Sequence, residues 1–328
     1  MKRYGDLFEK IVSYENMLVA LKKALKGAGK KYYTAKYWFY YEKNLQQLIQ
    51  RLKNGSYHPK KYKSFNIHEP KERVIHVADF EDRIVHHAII SILEPIYEKI
   101  FIYDSYATRK NKGTHKAVYK AQKYFLKNYY YLKTDIRKYF PSVRHDILLD
   151  IIKRKIKCKK TLSLIKKIIY NHGELKGLPI GNLTSQFFAN VYLDKFDHYI
   201  KDESGIKNYV RYMDDLVWFS NDKNELKELL INIREYLYEN LKLELKPSAT
   251  FINSKMNGLP YLGTRIFEKT IRIKKENLKR SLKKIKLREY EYYYGIITEE
   301  KLQESVNCIM AHLDNYSTKG LIKSIFRG

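Results

Sequence analysis

Tyr212-Met213-Asp214-Asp215 lies between two short, mostly apolar runs, residues 208–211 and 216–220. This pattern predicts a β-hairpin with the tetrapeptide at its tip. Two adjacent carboxylates repel each other, so keeping both ionised requires a nearby cation. Two Mg²⁺ ions would meet this need, because hard cations prefer oxygen ligands. The simpler alternative is an aspartate-rich turn without a metal, since Asp is common in turns.

The composition favours a polyanionic partner. The chain has 328 residues, enough for two or three subdomains, and a formal net charge of +28. A nucleic acid fits this charge better than the competing membrane surface, since Lys and Arg release counterions from phosphate backbones. No apolar run reaches the roughly 18 residues of a membrane span, and no apolar signal segment is seen. Cys158 and Cys308 have no partner at metal-binding spacing, which fits a reduced cytoplasmic protein.

Helix and strand patterns mix along the chain and predict an α+β fold. The first 55 residues predict two helices separated by Gly27-Ala28-Gly29, and a basic, strand-rich stretch follows to about Val77. Further helices are predicted over residues 79–100, with an interruption at Pro95, and over 146–169, 187–200, 226–241 and from 273 onward. Strands are predicted over residues 129–136 and 241–245, and a Gly/Pro loop over 177–181.

Asp135 adds a third carboxylate at the end of a predicted buried strand. A two-metal site for nucleotidyl transfer needs about three carboxylates that converge from separate strands. Asp135 and the 214–215 pair can meet only if their strands are neighbours. An isolated acid at a strand end is the alternative.

These motifs resemble the palm of a reverse transcriptase, and the resemblance covers nearly the whole chain. It implies a right-hand polymerase fold with a helical N-terminal extension (1–55), fingers (56–128), palm (129–265) and a helical thumb (266–328). The palm would include a fingers segment at about 146–180 and a primer grip at about 258–265. The resemblance implies that the metal is held by four residues: Asp135, the Ile136 carbonyl, Asp214 and Asp215.

The resemblance also assigns substrate-facing residues. Phe140 falls at the steric gate that excludes a ribose 2′-hydroxyl. Arg73 would grip the triphosphate with its planar fork, and Lys71 is a second candidate beside it. Arg109, in the string 105–115, would contact template phosphate or the incoming nucleotide, as would Lys112; an exposed basic loop is the alternative.

Two further motifs fall near the end of the palm. Lys246 stands where the family has a lysine proposed to protonate the leaving pyrophosphate, although a surface lysine is the alternative. Tyr261-Leu262-Gly263 resembles the primer grip, with Gly263 permitting a tight turn.

The string from Gly177 to Gln186 matches the segment that positions template and incoming nucleotide. Gly181 would let the backbone approach a base or sugar closely, and Asn182 or Thr184 would cap the following helix. Most reverse transcriptases carry Gln and Pro where this chain has Ile180 and Gln186. This variant resembles the reverse transcriptases of diversity-generating retroelements, which copy a template-repeat RNA with frequent errors opposite adenine.

The resemblance implies an RNA-directed DNA polymerase that uses dNTPs and two Mg²⁺ ions, with Mn²⁺ as a substitute. The implied partners are a template RNA, the RNA/cDNA duplex and an accessory variability determinant, a small basic helical protein. The implied setting is the cytoplasm of a bacterium, with either a bacterial or a phage gene. One alternative is an antiphage-defence reverse transcriptase that copies its own noncoding RNA. Another is an inactive RNA-binding scaffold with a polymerase fold.

Overall fold

The computed structural model describes residues 3–26, 32–68 and 72–316. The chain divides into two compact units. The first unit contains Met1–Tyr103, Ile136–Lys207 and Asn232–Lys246, and the second contains Asp104–Asp135, Asn208–Ile231 and Pro247–Gly328. No helix in the described ranges is long and apolar enough to span a membrane.

The described residues form helices and strands that alternate along the chain. The helices are α1 (Leu7–Ile11), α2 (Tyr14–Leu25), α3 (Tyr32–Phe39), α4 (Tyr41–Lys53), α5 (Phe80–Tyr97), α6 (Thr114–Lys127), α7 (Tyr139–Ser142), α8 (His145–Lys155), α9 (Lys159–Tyr170), α10 (Leu183–His198), α11 (Lys223–Leu241), α12 (Lys275–Tyr293) and α13 (Glu299–Asp314). The strands are β1 (Lys63–Ile67), β2 (Arg73–Val77), β3 (Tyr130–Asp135), β4 (Tyr209–Tyr212), β5 (Asp215–Ser220), β6 (Phe251–Ser254), β7 (Leu259–Tyr261), β8 (Thr264–Ile266) and β9 (Ile271–Ile273).

The N-terminal region contains four helices where the sequence predicted two. The Ser13 side chain accepts a hydrogen bond from the Asn16 amide, which ends α1 and starts α2. Tyr40 leaves the helical conformation between α3 and α4. The predicted separator Gly27-Ala28-Gly29 lies outside the described residues.

Three other predictions of secondary structure were wrong. Pro95 does not interrupt α5, because proline removes only its own N–H bond, to the carbonyl four residues earlier, and the buried Ile96 and Tyr97 hold the last turn in place. The helix predicted over 146–169 is two helices, since the backbone of Tyr4 bonds on both sides of Ile156 and draws the chain out of the helix. Residues 241–245 are not a strand: Lys242 has a left-handed backbone, and Leu245 forms one isolated bridge with Ile136.

The second unit is built on an antiparallel sheet in the order β4-β5-β3-β6. Helix α6 packs on β4 and β5 through buried alanines, Val118 and Phe125. A smaller sheet, β7-β8-β9, adds Leu259, Tyr261 and Ile266 to the same apolar core. The strand order makes β3 and β5 direct neighbours, as the predicted meeting of their acids requires.

Candidate active site

Asp135 and Asp215 lie directly opposite each other on the paired strands β3 and β5. Directly opposed residues of antiparallel strands share a face, with their Cβ atoms about 5 Å apart. Like charges in such positions are destabilising. The structure thus brings together two of the three predicted carboxylates, and their repulsion favours the binding of a cation.

Asp214 sits in the two-residue turn that joins β4 to β5, which confirms the predicted hairpin. Tyr212 pairs with Asp215 to close the turn, and Met213 has a left-handed backbone with φ of 58°. Glycine is the usual residue for this conformation, and a side chain costs about 1–2 kcal/mol there. The turn that carries the carboxylates is therefore strained and needs support from its surroundings.

Arg211 supplies support for this turn. Its side chain is fully buried, and its Nη1 donates to the Met213 carbonyl at 3.2 Å. Its backbone is fixed as well, since its N–H donates to the Asp104 carbonyl and its carbonyl accepts from the Tyr106 N–H, both at 2.9 Å. Arg211 was not predicted from the sequence, although a lone cation within an apolar strand is a signal that marks a buried, partnered charge.

Lys133 supplies a cation to the carboxylate pair. Its Nζ lies 2.8 Å from an oxygen of Asp215, and the two side chains are 12% and 27% exposed. Lys133 precedes Asp135 by two positions in β3, so both side chains lie on the same face. Lys133 was not predicted from the sequence, although its position two residues before Asp135 indicates that it shares a face with that carboxylate.

Lys133→Met is expected to lower the thermal unfolding temperature, because Asp135 and Asp215 then face each other without this cation. The cost for a half-buried pair is about 1 kcal/mol, or about 2 °C. Thermal unfolding with and without Mg²⁺ measures it, and we expect Mg²⁺ to stabilise the variant more than the wild type. Lys153→Met is the matched control, since it removes an exposed ion pair with Asp150. Equal stabilisation of wild type and Lys133→Met by Mg²⁺ would argue against metal binding by this pair.

The donor set suits a hard divalent cation, because carboxylate oxygens are the ligands that Mg²⁺ prefers. Within residues 3–26, 32–68 and 72–316, no three His, Cys, Asp or Glu side chains are arranged to hold one metal ion together. Of the predicted ligands, Asp135 and Asp215 face each other in the structure, and Asp214 directly precedes Asp215 in the chain.

The string 105–115 lies against the hairpin in the second unit. Ser105 forms a parallel bridge with Arg211, and the Thr114 hydroxyl donates to the Tyr212 hydroxyl at 3.0 Å. Arg109 is partly buried, and its Nη1 donates to the Ser105 carbonyl at 2.9 Å. This hydrogen bond gives Arg109 a role in shaping the loop, besides its predicted contact with template or nucleotide.

The Gly177–Gln186 segment is fastened to β2 within the first unit. The Ile180 carbonyl accepts from the His76 amide at 2.8 Å. Gly181 has φ of 112°, and a Cβ there would lie 2.8 Å from Ile75 Cγ2 and 3.1 Å from the His76 carbonyl. The structure thus shows a close approach of Gly181 to β2, and the approach of its backbone to a base or sugar stays a prediction.

The sequence predicted Asn182 or Thr184 as the cap of the following helix, and the structure gives Asn182 a different role. It occupies the N-cap position of α10, but its side chain makes no capping hydrogen bond. Its amide instead donates to the His76 carbonyl at 3.0 Å and accepts from the Ala78 amide at 3.3 Å. Gln186 follows in the first turns of α10 and is partly exposed. The segment that carries Ile180 and Gln186 is therefore held by the same strand that begins with Arg73.

Other predicted residues of the first unit have defined positions. Phe140 is partly exposed in α7, and its carbonyl accepts from the Leu178 amide at 2.8 Å, which ties it to the Gly177–Gln186 segment. Ile136 is buried and forms an isolated bridge with Leu245. Lys246 directly follows Leu245 in the chain. Arg73 is exposed at the start of β2, and Lys71 lies outside the described residues.

The predicted primer grip is a tight turn between β7 and β8. Leu262 and Gly263 both have positive φ, 45° and 81°, as a two-residue hairpin requires. Tyr261 is fully buried, and the assignment of this turn as a primer grip stays a prediction. Burial raises the pKa of the Tyr261 hydroxyl well above its usual value, and the charge of Asp215 raises it further. Tyr261 belongs to the same apolar core as Val217 and Phe219 of β5.

Comparisons with known proteins agree with this geometry. Residues 58–266 match the family "Reverse transcriptase (RNA-dependent DNA polymerase)". The group II intron-encoded protein LtrA of Lactococcus lactis subsp. cremoris is 29% identical over 170 residues, which are 48% of this chain and 28% of that protein. Protein YkfC of Escherichia coli (strain K12) is 25% identical over 277 residues, 70% of this chain and 72% of that protein. The chain thus spans less than a third of the length of LtrA.

A solved structure confirms the predicted α+β polymerase fold. Apo telomerase from Candida Tropicalis, truncated from its C-terminal domain, superposes with a TM-score of 0.50 at 11% identity. The superposition covers 68% of this chain and 58% of the telomerase chain. A likeness at this identity establishes the fold alone.

Proposed function

Because the chain belongs to the reverse transcriptase (RNA-dependent DNA polymerase) family, we propose that it extends a primer along an RNA template with dNTPs. The observation that carries this proposal is the direct opposition of Asp135 and Asp215, with Asp214 in the turn that follows β4. A primer 3′-oxygen attacks the α-phosphorus of a dNTP, the bond to the β-phosphate oxygen breaks, and pyrophosphate leaves.

The residues have proposed roles in this reaction. Asp135, Asp214, Asp215 and the Ile136 carbonyl would hold two Mg²⁺ ions, or Mn²⁺. Such ions lower the pKa of the primer hydroxyl and neutralise phosphate charge. Lys133 keeps Asp215 aligned with Asp135, and Arg211 holds the turn on which Asp214 sits. Catalysis by these side chains is positioning and charge stabilisation.

Four further residues are proposed to contact the nucleotide. Arg73, with Lys71 beside it, would grip the triphosphate, and Phe140 would exclude a ribose 2′-hydroxyl. Lys246 would donate a proton to pyrophosphate. We assign residues 1–55 to a helical extension, 56–128 to fingers, 129–265 to palm and 266–328 to thumb. Within the palm, the turn Leu262–Gly263 would support the primer.

Primer extension tests the activity. An RNA template annealed to a DNA primer, with dNTPs and Mg²⁺, should give full-length cDNA, and ribonucleotides should be incorporated poorly. The inactive-scaffold alternative predicts RNA binding without extension in either Mg²⁺ or Mn²⁺, and that result would overturn the proposal.

Within the family, we propose the diversity-generating retroelement type. Support comes from Ile180 and Gln186, which depart from the usual Gln and Pro in a segment fastened to β2. A looser fit around the template base would then reduce discrimination opposite adenine. The template would be a template-repeat RNA, and an accessory variability determinant would dock on the protein. A template repeat with a matching variable repeat near the gene supports this type, and its absence favours antiphage defence.

Ile180→Gln is expected to lower misincorporation opposite template adenine, because a hydrogen-bonding side chain at this position restores the pattern of other reverse transcriptases. Sequencing of cDNA made from an adenine-containing RNA measures the error frequency. Leu175→Gln, at a 69% exposed position of the preceding loop, is the matched control and should leave errors unchanged. Unchanged adenine errors in Ile180→Gln would remove this explanation.

A further inference from the structure

An aromatic surface lies where α3 meets α4 in the first unit. Three side chains form it, here called the aromatic corner, and their exposed fractions are high: Trp38 41%, Phe39 77% and Tyr40 52%. A surface helix normally presents polar residues outward. Single exposed apolar residues are ordinary, but a contiguous set of aromatic ones marks an interaction site.

The inner face of α3 explains why the aromatic corner faces outward. Thr34 and Tyr37 are buried, and the Tyr37 ring meets the edge of the Phe80 ring of α5 at 5.2 Å. Tyr33 also lies edge-on to Phe80, at 6.4 Å. Because these contacts fix the rotation of α3, Trp38 and Phe39 are directed away from the core.

The corner is rigid as well as exposed. The Asn44 side chain donates to the Tyr37 carbonyl, and its amide donates to the Tyr40 carbonyl, both at 3.0 Å. Trp38 stacks on Tyr41 with ring centroids 5.0 Å apart and an interplanar angle of 19°. Rings held in this way lose little conformational entropy when a flat partner stacks on them.

The surrounding charge indicates the kind of partner. From Tyr32 to Lys60 the chain has five basic residues and one acid, Glu42; two of the five, Arg51 and Lys60, form ion pairs with Glu81 and Asp79. Glu42 accepts a hydrogen bond from the neighbouring Tyr41 hydroxyl. Lys36 and Lys43 flank the corner in sequence and carry the charge that phosphates require. Aromatic rings interleaved with lysines are the surface that single-stranded nucleic acids recognise, since every base has a face for stacking.

We propose that the aromatic corner binds single-stranded RNA, with bases stacked on Trp38, Phe39 and Tyr40 and phosphates near Lys36 and Lys43. The bound segment would be unpaired RNA that flanks the copied region, so this proposal rests on the proposed function and extends it. Duplex RNA would not use the corner, because its bases are already stacked on one another.

Tryptophan fluorescence tests the proposal directly. The chain has two tryptophans, and Trp218 is fully buried, so RNA that quenches the emission by stacking acts on Trp38. The probe is an oligouridine of about 12 nucleotides, added without dNTPs or metal, with an RNA duplex of equal length as comparison. We expect saturable quenching by the single strand and little by the duplex.

Phe39→Ala/Tyr40→Ala keeps Trp38 as the reporter and alters side chains outside the core. Its affinity for oligouridine should fall about tenfold or more, since each stacked base contributes substantially. Tyr103→Ala is the matched control at a 71% exposed tyrosine and should bind like wild type. Equal affinity in all three proteins, or equal quenching by duplex, overturns the proposal. So does a change of oligomeric state in the double variant without a change in RNA affinity, which would make the corner a protein interface.

This measurement is independent of catalysis. Extension of a short primer on a template without flanks should be the same for Phe39→Ala/Tyr40→Ala and wild type. Wild-type protein that extends the primer but shows no quenching by oligouridine overturns the corner alone, whereas wild-type protein that shows quenching without any extension overturns the polymerase activity alone.

Discussion

Asp214→Asn should reduce dNTP incorporation by roughly 10³-fold or more and leave the protein folded. The amide keeps the size of the carboxylate but loses the charge that would hold a cation at the tip of the β4–β5 hairpin. The unfolding temperature should stay equal or rise slightly, because the substitution removes repulsion between Asp214 and Asp215.

Single-turnover primer extension measures the loss, and thermal unfolding measures the stability. Asp222→Asn is the matched control: this exposed aspartate accepts a hydrogen bond from the Asn224 amide, which an asparagine oxygen also accepts. Its incorporation rate should match wild type. Normal incorporation by Asp214→Asn, in Mg²⁺ or Mn²⁺, would refute the assignment of the hairpin as the catalytic centre.

Arg211→Met should lower the incorporation rate by about 10-fold to 100-fold, because Met213 loses a hydrogen bond that holds it in a conformation strained by about 1–2 kcal/mol. Stability should fall as well, since removing one partner of a buried charged network costs about 3–5 kcal/mol. The defect should appear in the maximal rate rather than in the KM for dNTP, because Arg211 acts on the turn.

A second substitution separates positioning from a general loss of stability. Met213→Gly adopts a positive φ without strain, so Arg211→Met/Met213→Gly should recover part of the rate. Its unfolding temperature should stay near that of Arg211→Met. Arg211→Lys keeps the charge and should fall between wild type and Arg211→Met. If the glycine recovers none of the rate, Arg211 has a role in stability alone.

The sequence was sufficient to predict the elements that bear the carboxylates. Residues 129–136 were predicted as a buried strand, and the mostly apolar runs 208–211 and 216–220 predicted the hairpin around 212–215; both predictions are confirmed. The spacing of apolar residues predicted secondary structure less well where a short stretch fits both a helix and a strand. Leu241, Leu243 and Leu245 alternate like a strand, yet they form the end of α11 and the connection after it, and all three are buried.

Roles that depend on distant contacts were beyond the reach of the sequence. The need for glycine at Gly181 comes from Ile75 and His76, more than 100 positions earlier in the chain. Asn182 is a residue type that often caps helices, but its side chain forms hydrogen bonds with the His76 carbonyl and the Ala78 amide instead. Arg211 and Lys133 carry a signal in the sequence, but their partners, the Met213 carbonyl and Asp215, become evident only in the folded sheet.

The strand order β4-β5-β3-β6 has a consequence for biosynthesis. The contact between Lys133 and Asp215 joins residues 82 positions apart, so it closes a long loop. Contacts of this range form late, after local helices and hairpins. During translation, β3 leaves the ribosome before the β4–β5 hairpin with which it pairs. Until β5 has been synthesised, the nascent chain therefore has a β3 strand with an unpaired edge. Chaperones that cover such edges should increase the yield of folded protein.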